Sequence, residues 1–194
     1  DLPSLRRRQR QMCIRDRSKD QITFLVRNLA QLDEMADIIL VDTGAGIADS
    51  VLEFVMACPE VLLVSTPEPS SLTDSYSLLK ALHRNPNFAK SGTQIHVVAN
   101  RVNSVEDGQA VYDKLNTVVS QFLNGNLEYL GMIPQDSMFE KAIRQQQIVS
   151  LYAPETKSAK AFEILANNLI EGAHDIPLMK RGFAQLFAEF FNNR

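Results

Sequence analysis

Four short apolar runs recur along the chain, and segments with helical spacing of apolar residues separate them. The runs are DIILVD at 37–42, EVLLVST at 60–66, TQIHVVANR at 93–101 and LEYLGMIP at 127–134. Strands that are apolar on both faces need cover on both faces, and helices that alternate with them supply it. The pattern therefore predicts an α/β fold, a mostly parallel sheet with helices on both faces.

The segments around these runs predict the helices of this fold. Apolar spacing indicates helices over 21–35, 49–57, 67–83, 105–123, 136–146 and 155–171. In such sheets, ligands bind outside the carboxyl ends of the strands. Those ends carry DTGAG, STPEP, ANRVN and IPQD, all of them rich in polar and small residues or proline. This edge is the predicted binding site.

The composition narrows the class of protein. The chain has 194 residues, of which 45% are hydrophobic and 22% are charged, so it fits one domain with a full core. A net charge of −3 gives no overall bias toward nucleic acid or an anionic membrane. Cys13 and Cys58 lie far apart without metal-ligand spacing, which favours reduced thiols. We expect a cytoplasmic protein, since no apolar run approaches the ~20 residues of a membrane span.

The arginine-rich segment at 1–18 differs from the remainder of the chain. It is either a basic arm for nucleic acid or lipid, or a segment that is not native. We favour the second interpretation, because QMCIRDR resembles translated adapter sequence. We therefore expect the folded domain to span 19–173 and a separate tail to span 174–194.

Asp42 ends the first apolar run, and Thr43, Gly44, Ala45 and Gly46 follow it. Mg²⁺ keeps several waters and takes one or two carboxylates together with substrate phosphates. Glycines let the backbone approach a phosphate and offer it N–H groups. The segment fits a magnesium–phosphate site, and it equally fits a strand-ending turn capped by Asp42.

Asn100 ends the third apolar run, where its amide can meet the edge of a base. GTPases carry an Asn-Lys-x-Asp pattern at such a position, and its carboxylate reads guanine. Asn103 stands here in place of that aspartate, so a bound base is predicted to be adenine. Arg101 either stacks on the base or is a solvated loop residue.

These motifs together resemble those of the MinD/ParA-type P-loop ATPases. DTGAGI at 42–47 joined to TPEPSSLTDSY at 66–76, with VVANRV, YLGMIPQD and AIRQQQ further on, is similar to the flagellar branch of that family (FlhG, YlxH or FleN). The resemblance runs from about residue 20 to residue 172. It implies a P-loop NTPase fold of the MinD-like class, ATPase activity, and ATP with Mg²⁺ as cofactors.

The resemblance also implies roles for individual residues at the phosphate end of the site. Asp42 would hold Mg²⁺ through water. Thr43, Gly44 and Gly46 would belong to the switch that senses the γ-phosphate. Glu68 and Pro69 would lie near the phosphates and the dimer face, and a structural role for these two remains open.

At the base end of the site, the resemblance implies contacts from two loops. Asn100 would contact adenine, and Arg101 would lie beside it. Pro134 and Asp136 would form the loop that flanks the base.

One element of the family has no match in this sequence, the phosphate-binding loop KGGxGK(S/T). In the family that loop holds the phosphates, and the strand before it is central to the sheet. A sheet without that strand has an unpaired edge. We therefore expect the chain to be the C-terminal portion of a longer ATPase. A non-hydrolysing adaptor of the same fold is the alternative.

The tail is predicted to form an amphipathic helix. One face gathers Phe183, Leu186, Phe187, Phe190 and Phe191. This face can lie on a membrane, enter a groove of a partner, or pack on the body of the protein. We favour the membrane, because MinD-like proteins end in such helices.

The resemblance implies an ATP-dependent homodimer on the inner face of the cytoplasmic membrane. Its role would be to regulate the number or placement of flagella. The implied partners are the flagellar GTPase FlhF and components of the flagellar base, and nucleic acid is not an expected partner. A general ParA- or MinD-type ATPase that positions the chromosome or the division site is the alternative within the fold.

Overall fold

The structure is a computed structural model, and it describes residues 35–172. The predicted segment boundaries near residues 18 and 173 lie outside the described residues, and so does the helix predicted at 21–35 except for its last residue. So does the predicted tail helix, with Phe183, Leu186, Phe187, Phe190 and Phe191 on its apolar face. These expectations stay predictions.

Helices and strands alternate along the described part of the chain. Their order is α1 Asp49–Ala57, β1 Glu60–Ser65, α2 Pro69–Arg84, α3 Phe88–Ser91, β2 Gln94–Val102, α4 Val105–Phe122, β3 Glu128–Pro134, α5 Ser137–Arg144, α6 Val149–Tyr152 and α7 Lys157–Gly172. The later predicted strands and the helices between them are confirmed, with ends shifted by a few residues. The short helices α3 and α6 were not predicted.

The described strands form a parallel sheet in the order β1-β2-β3. The register places Ser65 opposite Ala99, and Asn100 opposite Ile133. Parallel strands need a crossover between them, and the helices after β1 and β2 provide it. The three carboxyl ends consequently meet at one edge, as the alternating pattern predicts.

Two apolar layers cover opposite faces of β2. Ile95, Val97 and Ala99 face the layer built from α1, α2 and α4, whose buried members include Val55, Met56, Leu79, Leu82, Val111, Leu115 and Val119. Val98 faces the other way and packs with Leu165 of α7. Successive side chains of a strand point to opposite faces, so β2 needs helices on both sides. Helices on both faces, as predicted, are confirmed here.

The strand predicted at 37–42 is not formed, and this prediction was wrong for the structure described. Ile38, Leu40 and Val41 are 57%, 77% and 37% exposed, and the segment carries no strand hydrogen bonding. An apolar strand needs a neighbour to pair with and layers to cover it. Within residues 35–172 the sheet consists of β1, β2 and β3, and none of these strands pairs with 37–42.

β1 lies at one edge of the described sheet, and one of its faces is uncovered. Leu62 and Val64 are 40% and 53% exposed, whereas Leu63 between them is buried in the apolar layer that includes Leu79 and Leu82 of α2. No helix in the described range combines the length and apolarity that crossing a membrane requires.

Candidate functional site

The carboxyl edge of the sheet is built from the loops that follow β1, β2 and β3. Ser71 at the start of α2 fastens the first of these loops, because its Oγ accepts a hydrogen bond from the Thr66 amide at 3.0 Å. The backbone N–H of Gln135 fastens the third, because it donates to the carbonyl of Val102 at 2.8 Å. The first contact closes the loop after β1 on its own helix, and the second brings the loop after β3 to the end of β2.

Asn100 lies near the end of β2 and is half-buried. Its side-chain Oδ1 is buried and has no hydrogen-bond partner within the described residues. Leaving a buried acceptor unsatisfied costs about 1–3 kcal/mol. Such an atom is therefore a candidate to accept a hydrogen bond from a donor on a ligand. The exocyclic amino group of adenine is a donor of this kind. The residue therefore fits the predicted contact with the base.

Asn103 follows β2 and takes part in starting α4. Its backbone N–H donates to Oδ2 of Asp107 at 3.3 Å, while the Asp107 amide donates to the Ser104 hydroxyl at 3.1 Å. This reciprocal arrangement caps the first turn of the helix. The Asp107 carboxylate is thus engaged by the backbone, and Asn103 brings no carboxylate for guanine.

Arg101 adopts a left-handed backbone conformation with φ of 58° at an irregular point of the β2–β3 pairing. Its Nε donates to Oε1 of Gln135 at 3.2 Å, and its Nη1 lies 3.7 Å from Oε1 of Glu68. Oε2 of Glu68 in turn accepts a hydrogen bond from the Thr66 hydroxyl at 2.8 Å. The guanidinium therefore links all three strand-end loops.

Pro134 ends β3 opposite Val102, and Asp136 caps α5. Oδ1 of Asp136 accepts from the Met138 amide at 2.8 Å, and Oδ2 accepts from the Ser158 hydroxyl at 2.8 Å. Burial acts to raise the pKa of Asp136, but the hydrogen bonds from Ser158 and Met138 outweigh it and lower the pKa. Asp136 thus holds the loop after β3 to the starts of α5 and α7, as a residue that forms this loop must.

Asp42 and the glycines after it lie apart from these hydrogen bonds, in the exposed segment that carries no strand. Gly46 has φ of 112°, a conformation that disfavours any side chain, and a Cβ at Gly44 would meet nothing within 4 Å. One carboxylate beside open backbone is compatible with Mg²⁺ held mainly by water and phosphate. Within residues 35–172, no three His, Cys, Asp or Glu side chains gather as a metal site.

Known proteins resemble this chain over most of its described length. The antiactivator FleN of Pseudomonas aeruginosa is 36% identical over 165 residues, which are 85% of this chain and 57% of that protein. The flagellum site-determining protein YlxH of Helicobacter pylori is 31% identical over 156 residues, 78% of this chain and 50% of that protein. The chain spans about half the length of these curated relatives.

The fold agrees with these alignments. The cell division ATPase MinD of Pyrococcus furiosus superimposes with a TM-score of 0.58 at 28% identity, over 77% of this chain and 58% of that chain. The chain belongs to the MinD/ParA family, in its flagellar branch. No protein-family model matches the sequence.

A second solved MinD structure, which contains Mg-ADP, also has this fold. The septum site-determining protein MinD of Pyrococcus horikoshii, complexed with Mg-ADP, superimposes with a TM-score of 0.59 at 26% identity, over 78% of this chain and 58% of that chain. The MinD/ParA fold that the motifs imply is thereby confirmed for this chain.

In this member of the MinD/ParA family, the structure divides the predicted site residues into two groups. Asn100, Arg101, Pro134 and Asp136 meet at the carboxyl edge of β2 and β3. Asp42, Thr43, Gly44 and Gly46 lie in the separate exposed segment. Sequence reasoning missed Gln135 and Ser158, which hold Arg101 and Asp136 respectively. The position of Gln135 inside the motif IPQD was the available signal for the first of them.

Proposed function

We propose that the protein is an ATPase of the flagellar MinD/ParA branch, which binds ATP with Mg²⁺ and regulates the number or placement of flagella. The observation that carries this proposal is the buried Oδ1 of Asn100 at the carboxyl edge of a parallel sheet, which has no hydrogen-bond partner between residues 35 and 172. It supports the proposal because a MinD/ParA-type site needs an acceptor for adenine there. The names of the relatives, an antiactivator FleN and a flagellum site-determining YlxH, support the flagellar role.

The residues of this chain would divide the binding of ATP between them. Asn100 accepts from the adenine amino group, and the loop at Pro134 and Asp136 flanks the base. Asp42 would hold Mg²⁺ through water, and Thr43 to Gly46 would respond to the γ-phosphate. When bound, Mg²⁺ offsets the negative charge that develops on the phosphates while the γ-phosphoryl group of ATP is transferred to water.

ATP binding would be coupled to assembly and location. The proposed cycle begins with an ATP-bound homodimer, which brings two tails at 174–194 together. One tail binds the membrane weakly, and two linked tails bind much better through effective concentration. Hydrolysis separates the dimer and releases the protein from the inner face of the cytoplasmic membrane to the cytoplasm. FlhF and components of the flagellar base are the proposed partners.

Competition between nucleotides tests the proposal. The full-length gene product is titrated with ATP and GTP in the presence of Mg²⁺, and release of phosphate is then followed. We expect ATP to bind more tightly than GTP and to be hydrolysed. Tighter binding of GTP would refute the roles of Asn100 and Asn103.

A second candidate function is an adaptor that keeps the fold without hydrolysis. The phosphate-binding loop KGGxGK(S/T) is not among these 194 residues, so the full-length gene product has to decide between the two functions. An adaptor would bind its partners equally well with and without ATP, and it would release no phosphate.

A further inference from the structure

A series of connected polar contacts crosses the carboxyl edge of the sheet. It runs from Thr66 through Glu68 and Arg101 to Gln135, whose Nε2 donates to Oε1 of Glu140 on α5. The loop on the β1 side is thereby connected with the loop on the β3 side. Within this series of contacts, Arg101 contacts both Glu68 in the loop after β1 and Gln135 in the loop after β3.

The backbone of Arg101 indicates that its placement is specific. A residue other than glycine with φ of 58° is uncommon, and surrounding contacts must maintain it. The irregular pairing between Asn100 and Val102 sets this residue apart from the regular register. Such irregularities redirect a side chain at the end of a strand.

The contribution of these contacts to the free energy of unfolding is too small to explain why they are formed. The side chains of Arg101 and Glu68 are each 58% exposed, and exposed ion pairs contribute little to folding. The planar guanidinium, in contrast, is well suited to stack against an aromatic ring. Its neighbour in sequence, Asn100, carries the buried acceptor that has no partner among the described residues.

We propose that Glu68 and Gln135 are positioning residues, which hold the guanidinium of Arg101 as one wall of a purine-binding site whose hydrogen-bond acceptor is Asn100. The inference rests on the proposed ATP binding, and it assigns part of the recognition of the base to a contact between three loops. Gln135 orients the Nε side of the guanidinium, and Glu68 orients its Nη1 side.

The test compares ATP with inorganic tripolyphosphate, which lacks the base, in the full-length gene product with Mg²⁺. Calorimetry is performed on Arg101→Ala, Arg101→Lys, Gln135→Ala and Glu68→Gln. We expect each change to weaken ATP binding by about 3- to 10-fold, as loss of one cation–π contact does, and to leave tripolyphosphate binding unchanged. Lys160→Ala is the matched control, because its ammonium pairs with Glu155, a residue that belongs to none of the three loops.

A double-mutant cycle separates positioning from independent contact. Adding Gln135→Ala to Arg101→Ala is expected to weaken ATP binding no further, because the guanidinium it orients is already absent. Multiplied effects, an unchanged ATP affinity in Gln135→Ala, or an equal loss of tripolyphosphate binding would each overturn the inference alone. A wild-type protein that binds no ATP would overturn the proposed function together with it. Glu68→Gln, an isosteric change at an exposed position, keeps the test in force if an alanine variant does not fold.

Discussion

The carboxylate of Asp136 accepts hydrogen bonds from both the amide and the hydroxyl of Ser158, at 3.2 and 2.8 Å. Ser158 is fully buried at the start of α7, and Asp136 also caps α5. One side chain thereby fixes the loop after β3 relative to two helices. The loop that presents Pro134 and Gln135 at the candidate site depends on this contact.

Replacing Asp136 by alanine is expected to lower the free energy of unfolding by about 1–2 kcal/mol, the usual range for a lost helix cap. Urea unfolding of the purified variant measures this. Glu155→Gln serves as the control, since Glu155 is highly exposed and its pair with Lys160 lies on the surface. A loss no larger than that of the control would contradict the role of Asp136.

Stability should also depend on pH through Asp136. Because its pKa is lower in the folded protein than the ordinary value of 3.8, the unfolded state binds the proton more tightly. The contribution of Asp136 is therefore fully present above the ordinary value and is lost as the pH falls through the folded one. Asp136→Asn should flatten the acid side of the stability profile, which urea unfolding from pH 7 to pH 3 follows. An unchanged profile would contradict the assignment.

Asn100→Ala is expected to leave the stability of the nucleotide-free protein unchanged or slightly higher, since it removes an acceptor that has no partner in the described part of the chain. The same change should weaken ATP binding by roughly 10-fold, equivalent to about 1.4 kcal/mol and within the usual range for a hydrogen bond. Thermal unfolding and nucleotide titration measure the two effects separately.

Asn116 offers the matched control for Asn100. Its Oδ1 accepts a hydrogen bond from the Leu127 amide at 3.3 Å, far from the strand ends in sequence. Asn116→Ala should lower the melting temperature and leave ATP affinity unchanged. The opposite pattern in the two variants would show that Asn100 is a structural residue.

Gly131→Ala should destabilise the protein by roughly 2–4 kcal/mol through backbone strain and overpacking together. Gly131 has φ of 147°, and an added Cβ would lie 2.9 Å from Cδ2 of Leu165 on α7. Gly44→Ala is the control, because no atom lies within 4 Å of its Cβ position. Equal unfolding free energies for the two variants would contradict the close packing of α7 on β3.

The tail at 174–194 is predicted from the sequence to associate with membranes. Deleting residues 176–194 should abolish cosedimentation of the protein with liposomes of bacterial lipid composition. Phe187→Ser should weaken the association, while Gln185→Ala, on the polar face, should leave it intact. Equal pelleting of the full chain and the deletion would exclude the membrane as the binding surface.

The difference between predicted and observed strands has a physical cause. The runs at 60–66, 93–101 and 127–134 form strands because each finds a parallel neighbour and an apolar layer. The run at 37–42 is equally apolar, but no described strand pairs with it. Local composition measures the tendency of a segment to be buried, whereas pairing depends on residues elsewhere in the chain.

His96 illustrates the same limit for side chains. Its place within an apolar strand predicts a buried structural residue, and it is 6% exposed. Its partners cannot be read from the strand itself. The parallel register brings Nδ1 within 3.3 Å of Glu128 and Nε2 within 3.7 Å of Glu60, on the two neighbouring strands.

The alternation of helices and strands, the parallel sheet and the edge at which polar residues meet could be predicted from the sequence, because periodicity and strand-end motifs are local. The contacts of Arg101 with Gln135 and of Asp136 with Ser158 became visible in the folded chain, because these residues lie 34 and 22 positions apart. The tertiary structure also left the Oδ1 of Asn100 without a partner among the described residues. Such contacts depend on the register of the strands and the packing of the loops, which bring distant residues together only in the folded chain.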